Sequence, residues 1–549
     1  MLQLLGLSGP ISFALIMKAF GYLALVGLAY FLYCLYRTRM MFRRIQRDHG
    51  ITILPHSFLL GHIPVMAKMA MKYKIPRDAH GHWMFHHIKK EYPEIAHQGI
   101  LYVDVWPLAW PIIVVYHPDM QVQFTQEHSL PKFWGQSQVE FKHFTNGEDL
   151  VHLEGQEWKA ARSMLNPGFS ARNLISLIPD FVEEAQVFRE RLRKAAATGE
   201  VVKLEKYTTD VTVDVVGRAV LGTRLQTQTK SNRLMDTMKN QLKLIYFELN
   251  LRKQLSPTRL IKHWIYNRKI RNELLPYVYG TLQNYEKIEG PKTVVALALK
   301  EWINETQDHS ARGNIPPEFV ERVIKHIKIF MFAGHDTTAT ILAYIYYILS
   351  KNPEAAAKLR AEHDEVLGPD PAAAGDLISA DPALLHKMHY TIAVIKETLR
   401  LFPPVGGTIR QSPPGHFLTH PETGVHYPTT GFILHSSGST VQRAPEYWPQ
   451  PDSFIPERFL VRDESDPLYP VKNTWRPFEL GPRNCIGQEL VSLELRLILA
   501  LTVREFEVEE AYPEDSPVWM GDKAYQIVNH EIEATAHIKD ALPVRVKAR

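Results

Sequence analysis

Cysteine is almost absent: the chain has 2 in 549 residues. One of them, Cys34, lies in an apolar run near the N-terminus, so a disulfide framework is excluded and most of the chain suits a reducing compartment. No Gly/Ser-rich linker or internal repeat divides the sequence. Charge of one sign is also lacking, and a formal net charge of +4 at this length gives no argument for nucleic-acid binding. Residues 1–36 hold a single charge, Lys18. What the chain does have is 45% hydrophobic and 10% aromatic residues, enough to build a large core.

The uncharged run Ala19–Tyr36 would span about 27 Å as a helix, close to the thickness of a bilayer's hydrocarbon core. Arg37, Arg39, Arg43, Arg44 and Arg47 follow it. The positive-inside rule puts that basic flank, and the body after it, in the cytoplasm. A cleaved signal peptide would carry its basic cluster before the apolar run, so a retained anchor is favoured. The expected layout is an anchor over 1–36, with a transmembrane segment at about 19–36. A basic, proline-containing connector over 37–64 would lead to a catalytic domain over 65–549. Membrane lipid is thus an expected partner.

In the body, "ILYVDVW" and "WPIIVVYHP" read as strands. Helical periodicity then dominates, over 155–165, 179–196, 205–222, 232–250, 260–287, 291–308, 316–350, 353–367 and 388–402. Short strands are expected across 403–460, a buried helix over 486–503 and strands in the tail. The fold class is mainly α (α+β): a large helical body with a small strand-rich part, preceded by one N-terminal transmembrane helix. The pair His82 and His86 lacks a third metal ligand, and a solvated helix face is favoured there. The stretch 243–271 mixes bulky apolar residues with Lys and Arg. It reads equally as an amphipathic core helix and as a segment dipping into the membrane interface.

The second cysteine stands in "FELGPRNCIGQEL", just before the buried helix. The positive end of a helix lowers a thiol's pKa. Gly481 and Gly487 bracket the residue and allow a flat ligand to approach closely, and Arg483 supplies a permanent cation. The combination describes a thiolate in a turn beside a planar anionic group.

"FELGPRNCIG" resembles the F-x-x-G-x-R-x-C-x-G signature of the cytochrome P450 family of heme-thiolate monooxygenases. The resemblance implies the cytochrome P450 fold, with heme b as cofactor, Cys485 as axial ligand to the iron, Arg483 at a propionate and Phe478 near the sulfur. It recurs along the chain in the family's order. Trp158 and Arg162 match a W-x-x-x-R pair that binds a propionate, and Arg410 stands where another propionate arginine is found. Glu397 and Arg400 of "KETLR", with Arg458 of "FIPERF", resemble the family's buried Glu–Arg–Arg network. "FMFAGHDTTAT" matches A-G-x-D-T-T on the helix above the heme. By that match Asp336 and Thr337 form the acid–alcohol pair that delivers protons during oxygen activation, and Ala333 borders the pocket. Phe133, Trp134, Phe141 and Phe144, in the family's variable loop, are candidate pocket residues. Family members often carry His-Arg where this chain has Gln442-Arg443, so what makes that histidine's hydrogen bond is left open.

The implied activity inserts one oxygen atom of O2 into a lipophilic small molecule, with electrons from an NADPH-dependent cytochrome P450 reductase. The implied setting is the endoplasmic reticulum membrane, single-pass, with the catalytic domain facing the cytoplasm. The tail and the cysteine loop look most like filamentous-fungal members that act in secondary metabolism. One rival is a family-fold isomerase or dehydratase rearranging a peroxide without O2 or reductase. A second is a non-catalytic membrane protein that binds heme or a ligand.

Overall fold

The computed structural model describes residues 13–135, 141–245, 256–283, 293–306, 316–528 and 535–549. Residues 1–12 of the expected anchor, 246–255 of the amphipathic stretch and 136–140 of the variable loop lie outside them.

A single helix, Phe13–His49, carries the whole apolar run and passes without a break through the basic flank. From Met17 it is long and apolar enough to cross a membrane. From Met17 to Tyr33 its apolar residues stand exposed, but Leu35, Arg39, Phe42 and Ile45 are buried at helical spacing against the body. The first part of the stretch expected as a connector, 37–64, is thus docked helix up to His49. Phe42 and Ile45 belong to the core beneath a four-stranded sheet.

That sheet runs β1 (Ile100–Val103), β2 (Ile112–Val115), β7 (Ile433–Ser436), β4 (Thr408–Gln411). Only the β2–β7 pair is parallel. β5 (Phe417–Thr419) and β6 (His426–Pro428) form a hairpin. β8 (Phe506–Glu510) and β11 (Pro543–Ala548) join β3 (Val201–Lys203), while β9 (Gln526–Val528) pairs β10 (Ala536–Ile538).

The main core is helical. The helix Pro317–Lys351 crosses it over about 52 Å. Pro317 suits its first turn, and Pro353 disfavours helical geometry at Asn352. Leu204–Leu221 packs along it, donating from Thr208 to the Ala339 carbonyl at 2.9 Å and from Thr212 to the His335 carbonyl at 3.1 Å. Gly334 is required by that contact: a Cβ there would meet Val216 at 2.8 Å. The helices His389–Leu401 and Gln488–Thr502 complete the core around it. The mainly helical body with small sheets agrees with the fold class read from the sequence.

His82 lies on the helix His82–Glu91, and its predicted solvated face is corrected to a buried one. Burial pushes His86 down to about 4.

Candidate active site

The cysteine loop is built by its own backbone. The Cys485 amide donates to the Phe478 carbonyl at 2.9 Å, closing the turn three residues before the helix Gln488–Thr502. Gly481 holds φ at +90°, and a Cβ there would lie 2.4 Å from the Thr125 carbonyl oxygen. The loop thus needs glycine on both conformational and steric grounds. A Cβ at Gly487 would sit 3.8 Å from the Cys485 sulfur, an ordinary contact.

Cys485 has an exposed surface, yet protein surrounds its sulfur, as for a group lining an internal space. Burial pushes its pKa up, while the Gly487 N–H and the Arg162 charge pull it back. The sequence-based expectation of a thiol lowered by its helix is therefore reversed in the protein alone, because desolvation outweighs the helix end.

Cations gather beside this loop. Arg162, on the helix Gly155–Leu165, donates from both terminal nitrogens at 3.0 Å to the Asn484 carbonyl and side-chain oxygens. Arg483 donates to the Leu153 carbonyl at 2.9 Å, pairs with Glu154 and lies 4.5 Å over the Trp158 ring. Arg410, fully buried on β4, donates to the Thr408 hydroxyl at 2.8 Å. Its Nε and one terminal nitrogen have no protein partner. Burial pushes Arg410 down to about 10. Lys132, which sequence reading missed, donates from Nζ to the same Thr408 hydroxyl at 3.0 Å. Burial and the neighbouring Arg410 and Arg483 charges push Lys132 well down, and Glu479 and Glu154 only partly offset them. A lone lysine in "LPKFWG" gave no signal, because its partners are about 280 and 350 residues away. Such a cluster, with unpaired guanidinium donors, wants an anion.

The long helix supplies a second lining. From His326 to Tyr347 every residue is buried except Ala333, Gly334 and Thr337, which share one face. Accessible surface in the middle of a buried helix marks an internal space. The Thr337 hydroxyl donates to the Ala333 carbonyl at 3.0 Å. Asp336 is not beside it. Successive helical residues point about 100° apart, and the Asp336 carboxylate turns into a buried cluster instead. There it accepts from the Thr535 hydroxyl and lies 3.5 Å from His537 Nε2, whose Nδ1 is 2.9 Å from Glu205. Burial alone would raise Asp336, but the His537 charge and hydrogen bond hold it down at about 2. Burial disfavours charge on His537, yet Asp336 and Glu205 hold it well above the usual imidazole range. Of the expected acid–alcohol pair, the alcohol thus stands on the open face and the acid lies behind it in the His537 and Thr535 cluster.

Glu397, Arg400 and Arg458 meet in one fully buried network. Arg400 binds Glu397 with two 2.7 Å hydrogen bonds and also donates to the Gln442, Pro451 and Ser453 carbonyls. Arg458 reaches Glu397 at 3.4 Å. Gln442, which stands where family members often carry histidine, is fully buried and makes three bonds to backbone groups. Its amide nitrogen donates to the Leu399 and Arg400 carbonyls at 3.2 and 3.0 Å, and its oxygen accepts from the Arg476 amide at 2.9 Å.

Of the candidate pocket residues, Phe141 and Phe144 are buried with their rings 6.3 Å from Phe332 on the long helix. Phe133 is buried 6.1 Å from Trp110. Trp134 departs from the expectation: it is half-exposed and packs 5.6 Å from Trp110, which is itself exposed in the loop after β1.

The cytochrome P450 family model matches residues 73–535. The chain is 36% identical to the cytochrome P450 monooxygenase polC of Polytolypa hystricis, covering 96% of this chain and 95% of that one. It is 31% identical to the cytochrome P450 monooxygenase acrF of Aspergillus aculeatus, covering 87% and 99%. Its fold matches the crystal structure of the cytochrome P450DA heme domain with a TM-score of 0.66, at 18% identity over 91% of this chain and 96% of that one. A family model that spans most of the chain, a relative that covers nearly all of it and a shared fold leave one assignment: the chain belongs to the cytochrome P450 family.

Proposed function

We propose that this monooxygenase is a membrane-anchored heme-thiolate enzyme that inserts one oxygen atom of O2 into a lipophilic small molecule, as a step in fungal secondary-metabolite biosynthesis. Heme b is its cofactor and Cys485 its axial ligand. An NADPH-dependent cytochrome P450 reductase supplies electrons. The enzyme sits in the endoplasmic reticulum membrane as a single-pass protein with its body in the cytoplasm and in contact with lipid. The exposed Leu260, Ile261 and Trp264 on the helix Pro257–Gln283 support that contact.

The observation that carries the reading is the buried Arg410, with unpaired nitrogens, in a cluster that also holds Lys132 and Arg483. Together with the Cys485 thiol, this donor set fits heme: a soft sulfur ligand for iron and cationic donors for two propionates. Trp158, Arg162, Arg410 and Arg483 would hold the propionates, Phe478, Gly481 and Gly487 would shape the loop around the sulfur, and the Glu397–Arg400–Arg458 network would keep that loop in place.

Bound heme supplies O2 activation and the electronic push of a thiolate. The chain's own residues manage protons and water. With its hydrogen donated to Ala333, the Thr337 oxygen is free to accept from a donor in the internal space. Asp336, ionised at neutral pH, can carry a proton only by leaving the His537 and Thr535 contacts. Phe141, Phe144 and Phe332 present apolar walls that suit a lipophilic substrate and exclude water.

The test is turnover of a lipophilic precursor by full-length enzyme with reductase, NADPH and 18O2. One labelled oxygen in the product is expected. Product formed without O2 or NADPH would favour the peroxide-rearranging reading.

A further inference from the structure

Asp149 and His152 form a fixed pair in the segment before the helix Gly155–Leu165. His152 Nδ1 lies 2.7 Å from the Asp149 carboxylate. That carboxylate also accepts from the Val151 amide at 2.9 Å and from the Thr145 hydroxyl. The backbone closes the turn, with the His152 and Leu153 amides donating to the Asp149 carbonyl at 3.0 and 2.9 Å. Burial alone would raise the Asp149 pKa, but the His152 bond and charge, with Thr145 and Val151, hold it below the usual carboxylate range. An ionised carboxylate at Nδ1 keeps a proton on that nitrogen and aims Nε2 away from Asp149. No described residue hydrogen-bonds to Nε2. The His152 side chain is only 2% exposed, yet this nitrogen keeps accessible surface.

The pair stands between the two linings of the internal space. Leu153 gives its carbonyl to Arg483 at 2.9 Å, which ties the turn to the cysteine loop. On the other side the His152 ring lies 4.8 Å from Phe141, whose ring lies 6.3 Å from Phe332. Phe332 directly precedes Ala333, where the open face of the long helix begins. Burial pushes His326 of that helix down to about 4 and the Asp149 charge opposes it, so the carboxylate too lies toward the helix. The rings that His152 joins, Phe141, Phe144 and Phe332, are apolar. An accessible nitrogen in such a wall loses its solvation whenever an apolar molecule covers it, and a ligand that bonds to it avoids that cost. A hydroxyl suits Nε2 in either protonation state, because it donates to the bare nitrogen and accepts from an N–H. A carbonyl or ether only accepts, and suits only the charged ring.

We propose that His152, held by Asp149, is a specificity-determining residue, and that the substrate is a lipophilic alcohol whose hydroxyl bonds to Nε2. The proposal rests on the reading of this space as the substrate site. Asp149 is a positioning residue: it acts through His152 and does not meet the substrate. With the hydroxyl fixed at this wall, the apolar remainder of the molecule is held in one orientation toward Thr337 and the cysteine loop, so that oxygen enters at a set distance from the hydroxyl.

The test uses full-length, heme-loaded enzyme and probes of increasing size: adamantanol, dodecanol and the saturated steroid androstanol, each beside its parent hydrocarbon and its methyl ether. Binding is read from the displacement of the Soret band and, independently, by titration calorimetry. The parent should bind at least one alcohol roughly 3- to 10-fold tighter than its methyl ether, the margin of one neutral hydrogen bond. His152→Phe should remove that margin and leave the hydrocarbon's affinity unchanged. His152→Gln, which keeps a polar tip, should recover part of it, and Asp149→Asn should lose part of it. If His152→Phe does not hold heme, His152→Gln and the parent's own alcohol-to-ether ratio decide. No preference for any alcohol, or a preference that survives His152→Phe, overturns the proposal while hydrocarbon binding beside the heme leaves the functional reading standing. Equal loss of alcohol and hydrocarbon binding in both His152 variants would make the residue packing alone, which also overturns it. A parent that holds no heme overturns the reading of the site and this proposal with it.

Discussion

Breaking the Arg39–Asp104 pair should be among the most costly single changes outside the heme site. Both side chains have no exposed surface. Asp104 is bound on its other oxygen by His56 at 2.8 Å. Burial alone would raise its pKa, but the His56 and Arg39 bonds hold it below the usual carboxylate range. Arg39→Met would leave a buried carboxylate without its cation and three carbonyls, those of Phe58, Leu59 and Trp106, without their donor. Removing one partner of a buried pair costs about 3–5 kcal/mol, and each orphaned polar group adds about 1–3 kcal/mol where water cannot reach it. Loss of at least about 4 kcal/mol is therefore expected for Arg39→Met, and about 3 kcal/mol for Asp104→Asn, which keeps shape and loses charge. The double variant should cost clearly less than the sum, with a coupling of about 2–3 kcal/mol. The assay is urea unfolding in nanodiscs, followed by Soret absorbance and far-ultraviolet dichroism. Single variants within about 1 kcal/mol of the parent would refute the reasoning, because such a pair would behave like a solvated surface bridge.

Thr337→Ala should keep heme content and substrate binding but divert electrons to hydrogen peroxide, measured as NADPH consumed against product formed. Gln442→Leu should cost about 2–4 kcal/mol by orphaning the Leu399 and Arg400 carbonyls and the Arg476 amide, whereas Gln442→His should recover part of that loss, as read by thermal unfolding. Lys328 on the long helix is buried against Phe144 and Asn267, and burial pushes it down to about 7. Between pH 7 and the ordinary lysine value the unfolded chain holds a proton that the folded one lacks. Stability of the parent relative to Lys328→Met should therefore rise with pH across that window, by up to about 1.4 kcal/mol per pH unit. A flat difference between the two proteins from pH 7 to 10 would contradict this.

Much of the fold was legible because its signals are local. Periodicity located the helices 155–165 and 353–367 to the residue, and Pro353 marks the end of the long helix. The family resemblance selected Glu397, Arg400 and Arg458, which meet although Arg458 is 58 residues beyond Arg400 in sequence. What escaped is what depends on tertiary context. Arg39 was read as one of five interchangeable membrane-flanking cations, because sequence shows charge and not the carboxylate 65 residues away. Asp336 and Thr337 read as one unit through the family's A-G-x-D-T-T match, yet helical geometry turns their side chains in different directions. Trp134 reads as pocket lining because it falls in the family's variable loop, and only the fold shows that its neighbour is the exposed Trp110. Gln442 could not be interpreted until its three backbone partners were visible.

The central claim is that Cys485, the single cysteine of the body, is the thiolate axial ligand of a bound heme. The direct measurement is the absorbance spectrum of the reduced, carbon-monoxide-bound enzyme, compared with that of Cys485→Ser prepared to the same heme content. The parent should show the red-shifted Soret band of a thiolate heme, and the variant should show none of it at any pH at which both remain folded. A variant that retained the red-shifted band, or a parent that lacked it while fully loaded with heme, would contradict the account.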